Sequence, residues 1–464
     1  MKRSNIMTCT IIAIVALVLA SCSKTPEYTK LVKADSDVLT RIDIKQFSEK
    51  CGDNKDIADK LKGLLKEDNL KASTRTKLEA IIDDPADAGV DLREPLVIAV
   101  NMDSGKESTE IVGTLLDKDD FKDLIECIAN EKGDIKLKEA NGISYLADEE
   151  SILAFDDESF YFGLLNKAED KMVAEVEKKF SGEMPNQLKD SKQWELLTSK
   201  DGVTQTLING SLYDKIPYFR FRKNIDIKLD ELAILTNVNL EKGMVSMEYE
   251  VITDNEECKK MIADFDDMFP GIKGDFCQYV SSNGIVVAAN INGEKVTENL
   301  KGIEEAKDIL SGAEKYMKVL NGDITLGIIP MGDNIMDMNI ALYLTTKDNT
   351  LANELGGLGK MIKCEATYAD GATAVVSGNK PFTKADPSVK SSEVSGKHLY
   401  ISVNYDAIKK LDMEIADEYA MIIDKAERLT LTYDGEGKGS VILYTKDQDK
   451  YPTEYLMQEV KKQL

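Results

Sequence analysis

The sequence predicts an α+β protein made of repeated units of antiparallel sheet with helices packed on one face. Three observations carry that expectation. Short stretches rich in β-branched and aromatic residues come in pairs, each pair is followed by a stretch with helical spacing, and further strand-like stretches follow the helix. Longer amphipathic stretches at Ala168–Phe180 and Val296–Leu320 separate successive passes of this pattern. In the first of them Ala168, Met172, Val173, Val176 and Phe180 share one face, and Gly182 and Pro185 end it.

The chain opens with a leader. Lys2 and Arg3 form a positive start, and Ile6–Ala20 is an apolar run interrupted only by the hydroxyls of Thr8 and Thr10, the pattern of an export signal. A membrane-crossing helix needs about 20 apolar residues, and polar sequence begins here at Ser21. Leu19-Ala20-Ser21-Cys22 resembles the lipobox of bacterial lipoproteins. That resemblance implies cleavage before Cys22 and acylation of its sulfur and new amine with chains such as palmitate. One acyl chain holds a protein only marginally, whereas several anchor it stably. Ser23 lacks the aspartate that resembles an inner-membrane retention signal, and Lys24-Thr25-Pro26-Glu27 is not an acidic surface-export run. The expectation is an outer-membrane anchor facing the periplasm.

Residues 1–21 are thus read as the leader and 22–33 as an acylated tether. Three α+β units follow, at 34–182, 183–320 and 321–464. The body begins with a strand over Val38, Leu39, Ile42 and Ile44 and a helix near Gln46–Lys50 that Gly52 stops. Helices Ile57–Lys66 and Thr74–Asp83 come next, and Asp84-Pro85 breaks the pattern. Leu96–Met102 and Glu110–Leu116 read as strands before a helix with the acidic first turn Asp119-Asp120, favourable against the helix dipole. Strands at Ile143–Leu146, Ile152–Phe155 and Phe160–Leu164 complete the first pass. A second runs through strand Met244–Ile252, helix Asn255–Phe265 and strand Gly284–Ile291. The third comprises strands Ile324–Ile329 and Met338–Leu344, helix Leu351–Ile362 and strand Ala372–Ser377. The fourth holds strand Leu399–Val403, a helix near Ala407–Lys425, and the hairpin Arg428–Tyr433 with Ser440–Tyr444.

Cys22-Ser23-Lys24 followed by Tyr28-Thr29, the strand entry from Ala34-Asp35 to Ile44, and Gly89-Val90-Asp91-Leu92 leading to Pro95 resemble an uncharacterised lipoprotein family of Bacteroides-type bacteria. That family is described only as a domain of unknown function. The resemblance implies a fold and an address, and brings no active site with it.

Composition narrows the function classes. The net charge is −24 and becomes −26 once Lys2 and Arg3 leave with the leader. A nucleic-acid binder needs a basic footprint, so that class is excluded, as is adsorption to anionic lipid beyond the anchor. Apolar residues make up 42% and recur at regular spacing, which argues against disorder. Apart from Cys9 and Cys22, five cysteines remain at 51, 127, 258, 277 and 364; this odd, scattered set is no disulfide framework, although a Cys258–Cys277 bridge stays open as an alternative.

No catalytic constellation emerges. His398, the single histidine, lies beside the strand residues Leu399-Tyr400-Ile401 and reads as structural. Gly356, Gly357, Gly359 and Lys360 look like a P-loop ending, but Glu354 replaces its first glycine and Met361 its hydroxyl. Gly435, Gly437 and Gly439 fit a hairpin turn. Asp156-Asp157-Glu158 reads as a hairpin tip, Trp194 as core, and the sets Asp83, Asp84, Asp87, Asp91 and Asp447, Asp449 lack the ordering of a calcium loop.

The candidate ligand surface is Tyr218, Phe219, Arg220, Phe221 and Arg222, where aromatics and arginines alternate in an acidic chain. The sequence calls for no metal and no cofactor. The expected function is a non-catalytic, lipid-anchored module that binds a protein, peptide or glycan partner. A carboxylate-dependent glycan hydrolase and a carrier or chaperone for outer-membrane cargo are the alternatives.

Overall fold

The computed structural model describes residues 25–52, 55–67, 70–103, 106–132, 136–165, 167–212, 231–301, 312, 314–332, 338–361, 364–377, 380–410 and 424–463. The fold is α+β, and every strand pairing with a defined register is antiparallel. The chain packs as two compact units. One comprises the residues up to Arg41 together with Lys62–Ser199, the other Ile42–Leu61 together with the residues from Lys200 onward.

The first unit holds β1 (Val38–Ile42), β2 (Leu96–Asp103), β3 (Lys106–Thr114), β4 (Lys138–Ala140), β5 (Ile143–Ala147), β6 (Ser151–Phe155) and β7 (Ser159–Leu164). They lie in the order β1-β2-β3-β7-β6-β5-β4. Ala154, Phe155, Phe160 and Tyr161 are all buried, so successive side chains, which point to opposite faces, are covered on both. On one face Phe121 and Ile125 of helix Lys118–Lys132 join Phe155 and Phe160, with Phe121 edge-on to Phe155 at 5.2 Å. On the other, helix Glu169–Phe180 turns Met172 and Val176 inward and reaches Glu110 and Tyr161 through Lys179. Helices therefore cover both faces of this sheet.

The second unit holds β8 (Thr204–Asn209), β9 (Leu232–Glu241), β10 (Met244–Thr253), β11 (Ile285–Asn292), β12 (Leu320–Pro330), β13 (Met338–Thr346), β14 (Cys364–Ala369), β15 (Ala372–Ser377), β16 (Leu399–Asn404), β17 (Ala426–Gly435) and β18 (Lys438–Thr445). Their order is β14-β15-β13-β12-β11-β16-β17-β18-β10-β9-β8.

The boundaries read from the sequence at 182/183 and 320/321 differ from this packing. Leu188 N–H donates to Val32 O at 2.8 Å, which ties 183–199 to the first unit. β12 begins at Leu320 and pairs with β11, so one ladder spans the second boundary.

The two faces of the second sheet are built differently. Helices Glu256–Met268 and Thr350–Met361 pack on one: Phe265 meets the Tyr433 ring at 5.4 Å, and a Cβ on Gly356 would touch Ala366. The opposite face carries Val286, Ala288, Tyr343, Ala374, Val376 and Tyr400, and these pack under the largely irregular segments that supply Ile272, Phe276, Val280 and Val389, and under Val394 of the short helix Ser391–Val394. This loop-covered face positions the candidate site.

Candidate functional site

A recess of about 240 Å³ lies between the loop-covered face of β12, β13 and β15 and the loop that follows β15. Gly327, Ile329, Ala341, Tyr343 and Val376 form its sheet side. The register explains their grouping: Gly327 pairs with Ala341 and Ala341 with Val376, so one row of small side chains crosses three strands. Small residues on a face roofed by loops leave volume unfilled. The loop side supplies Tyr279, Ser281, Lys380, Thr383, Lys384 and Asp386.

Two sets of polar contacts hold the roof. Asp323 on β12, only 1% exposed, accepts hydrogen bonds from Lys273 N (3.0 Å), Gly274 N (2.7 Å) and Asp275 N (3.1 Å). A carboxylate gathering three N–H groups satisfies a turn that would otherwise bury its donors. Asn290 Nδ2 donates to Gly271 O at 2.9 Å beside it. The two loop segments also pair with each other, Ala385 N–H to Gln278 O (2.9 Å), Ser282 N–H to Pro387 O (3.1 Å) and Val389 N–H to Val280 O (3.0 Å). Gly327 is needed under this roof, because a Cβ there would overlap the Val280 side chain.

Tyr279 and Tyr343 line the recess, and Phe276 and Phe382 pack against them. Tyr279 lies 5.3 Å from Tyr343 between ring centroids, Phe382 lies 5.6 Å from Tyr343, and Phe276 stacks on Tyr343 at 5.8 Å. Burial pushes the Tyr343 phenol above its ordinary pKa, opposed in part by a hydrogen bond from the Phe382 backbone. Phe382 has φ +58°, the left-handed region, which costs a bulky L-residue roughly 1–2 kcal/mol. The packing of its ring against Tyr279 and Tyr343 holds it there, and outliers of this kind cluster at ligand sites. Among the described residues no carboxylate lies within 4 Å of Lys380 or Lys384 in an ion pair, whereas Lys315, Lys347, Lys397 and Lys409 each have such a partner.

The residues singled out from the sequence fall as follows. Cys22 and the stretch Tyr218, Phe219, Arg220, Phe221 and Arg222 lie outside the described residues. His398 sets its ring edge-on to Tyr433 at 5.7 Å, with Nδ1 3.6 Å from Asp266 Oδ1. Asp266 also accepts from Tyr433 OH (2.6 Å) and Glu436 N (2.8 Å), so the group fastens the β17–β18 hairpin to helix Glu256–Met268. Gly356, Gly357, Gly359 and Lys360 lie within helix Thr350–Met361, and Gly435 and Gly437 turn the hairpin with positive φ. Cys258 and Cys277 are buried free thiols; burial, with Asp323 and Asp275 nearby, pushes the Cys277 thiol up to about 11.

The acidic clusters are used locally. Asp156 caps Glu158 N and Ser159 N, Asp84 caps Ala86 N, Asp91 pairs with Arg93, Asp83 with Lys62, and Asp447 accepts from Asp449 N. Trp194 is buried on helix Lys192–Leu197 and donates its backbone N–H to Ser191. Sequence reading missed the recess, yet a signal existed. Lys380-Pro381-Phe382-Thr383-Lys384 interleaves an aromatic with basic residues in an acidic chain, as Tyr218–Arg222 does.

Fold and recess together define an antiparallel α+β protein with a small, aromatic-walled site in its second unit. Residues 28–364 match the family described as Domain of unknown function (DUF4836), and the chain belongs to that family. Among solved structures, it is similar to crystal form III of TP0453 at 12% identity, over 53% of this chain and 86% of that one, with a TM-score of 0.28. Crystal form IV of TP0453 matches at 12% identity over 48% and 79%, with a TM-score of 0.27. No curated protein matches.

Proposed function

We propose that this protein is an exported, lipid-anchored binding module of the bacterial outer membrane, held on the periplasmic face through acylated Cys22, with its ligand site in the recess of the second unit. The observation that carries the binding role is the recess itself: aromatic walls, a few convergent polar groups and two lysines without carboxylate partners among the described residues. The leader, with its apolar run ending in Leu19-Ala20-Ser21-Cys22, supports the anchor and the Bacteroides-type lipoprotein address. The recess lining contains one carboxylate, Asp386, where glycoside hydrolysis ordinarily uses two, which favours binding over turnover.

Two measurements test this. Cells fed radiolabelled palmitate should label the wild-type protein in the outer-membrane fraction, and Cys22→Ala should lose both label and sedimentation with membranes. An unlabelled wild type, or a Cys22→Ala variant that stays membrane-bound, overturns the anchor. Tyr279→Ala should weaken binding of any ligand found for the purified chain at least tenfold, in a chain that still unfolds cooperatively at a midpoint lowered by the lost ring packing. Unaltered binding overturns the site.

A further inference from the structure

The geometry points to a carboxylated sugar, a single uronic-acid ring or the acidic end of a glycan, as the ligand of this recess; the assignment rests on the binding role proposed above. Size is the first argument. At about 240 Å³ the recess is smaller than the roughly 300–1,000 Å³ of sites for drug-sized ligands, so it suits one ring with its substituents rather than an extended chain. The mixture of walls is the second. Tyr279 offers aromatic surface beside Ile329 and Ala341, with the buried Tyr343 packed against it, while Ser281, Asn339 and Thr383 bring hydroxyl and amide groups. A pyranose matches both, since its ring faces carry C–H groups and its rim carries hydroxyls; an acyl chain would leave the polar groups desolvated without partners.

Charge is the third argument. The chain carries −24 overall, which repels anions in general. The recess nevertheless gathers Lys380 and Lys384 against the one carboxylate Asp386, a local surplus of positive charge. Lysines in that position pair with a carboxylate of the ligand, and Asp386 accepts from its hydroxyls. Pre-organisation is the fourth. The strained Phe382 backbone lies between the two lysines in sequence, and its ring is fixed against Tyr279 and Tyr343, so the loop that carries both charges is anchored at its centre.

The test is calorimetry on the full chain with trigalacturonate and with galactotriose, a neutral probe of equal length. Trigalacturonate should bind at least tenfold more tightly, the difference should shrink as salt rises, and Lys380→Gln/Lys384→Gln should abolish it while leaving the unfolding midpoint in place. Tyr279→Ala should weaken both saccharides. Equal affinity for the two, with each weakened by Tyr279→Ala, overturns the acidic assignment and leaves the binding role standing. Binding of a tripeptide with a free C-terminal carboxylate, but of neither saccharide, overturns the sugar assignment alone. Binding of trigalacturonate that Tyr279→Ala does not change overturns both, as does failure of all three probes to bind.

Discussion

Removing Lys179 should destabilise the first unit by several kcal/mol, and removing its partner as well should restore most of the loss. Lys179 is 1% exposed at the end of helix Glu169–Phe180, and its Nζ lies 2.9 Å from Glu110 Oε2 and 3.0 Å from Leu31 O. The ammonium also sits 5.2 Å from the centroid of Tyr161, whose phenol is raised well above its ordinary pKa by burial and the Glu110 charge. In Lys179→Met the Glu110 carboxylate stays in the core with no counter-charge, a situation that costs about 3–5 kcal/mol. Leu31 O also loses its donor, and Tyr161 loses a cation over its ring. These losses overlap, so about 3–5 kcal/mol is the expected total rather than a sum.

Lys179→Met/Glu110→Leu removes both charges. Replacing a buried pair with apolar groups of similar volume is often neutral or stabilising, and the residual cost is the unpaired Leu31 carbonyl, about 1–3 kcal/mol. The double variant should therefore lie within about 2 kcal/mol of wild type, with a coupling energy above about 2 kcal/mol. The assay is urea unfolding followed by Trp194 fluorescence. Trp194 is the only tryptophan, 8% exposed and within the first unit, so its signal follows the loss of packing around it there. A loss below about 1 kcal/mol in Lys179→Met, or a double variant as unstable as both singles added, would refute the reasoning.

Three further expectations concern the second unit and the surface. Asp323→Ala leaves the N–H groups of Lys273, Gly274 and Asp275 without their acceptor and should cost about 2–4 kcal/mol, read as faster alkylation of Cys277, which in the wild type is buried with its thiol pushed up to about 11. Gly327→Ala should cost about 1–3 kcal/mol by overpacking against Val280, and Val280→Ala in the same chain should recover part of it in a urea midpoint. Asp91, Asp406 and Asp424 have lowered pKa values and Glu314 is lowered to about 2, each mainly through a hydrogen bond from a basic side chain. A carboxylate whose folded pKa is depressed contributes stability above its unfolded pKa of roughly 4 and loses it as pH falls through the folded value. Thermal midpoints should hold from neutrality to about pH 5, then fall toward pH 2, and fall less in 0.5 M salt because these pairs are exposed. Constant midpoints down to pH 3 would contradict this.

Much of the fold was legible because the helices and most strands obey a local period. Asn255, expected at the start of a helix, accepts from Glu257 N and Cys258 N as the cap of Glu256–Met268. Ala372–Ser377 is a strand with the bounds read from the sequence. β4, β8, β9 and β14 were missed; Leu232–Glu241 alternates legibly, whereas Cys364–Ala369 holds two alanines and a glutamate and is fixed by pairing with β15, which sequence does not display. Leu320 was read as the end of a helix because its apolar neighbours fit either period, and β13 decides the matter by pairing Thr346 with it. Two-sided burial of the first sheet was hidden for a similar reason. Phe155 and Phe160 are strand-like residues whose second face acquires a cover only when helix Lys118–Lys132 folds over it.

The recess was illegible on a different ground, which also explains its place. A helix covering a sheet presents side chains at a regular spacing and fills the surface beneath it. An irregular segment covers what its particular turns allow, and its backbone groups must be satisfied one by one. In the second unit Asp323, Asn290 and the pairing of 278–282 with 385–389 meet that demand. The roof is thereby fixed at a height set by hydrogen bonds rather than by side-chain volume. Where the sheet beneath carries Gly327 and Ala341, Val280 packs close over the glycine but the small side chains leave the space beside it only partly filled, so a cavity persists along Gly327, Ala341 and Tyr343. Ala341→Leu tests that account: it should close the recess and abolish ligand binding while costing the sheet little, since the new side chain enters space already empty.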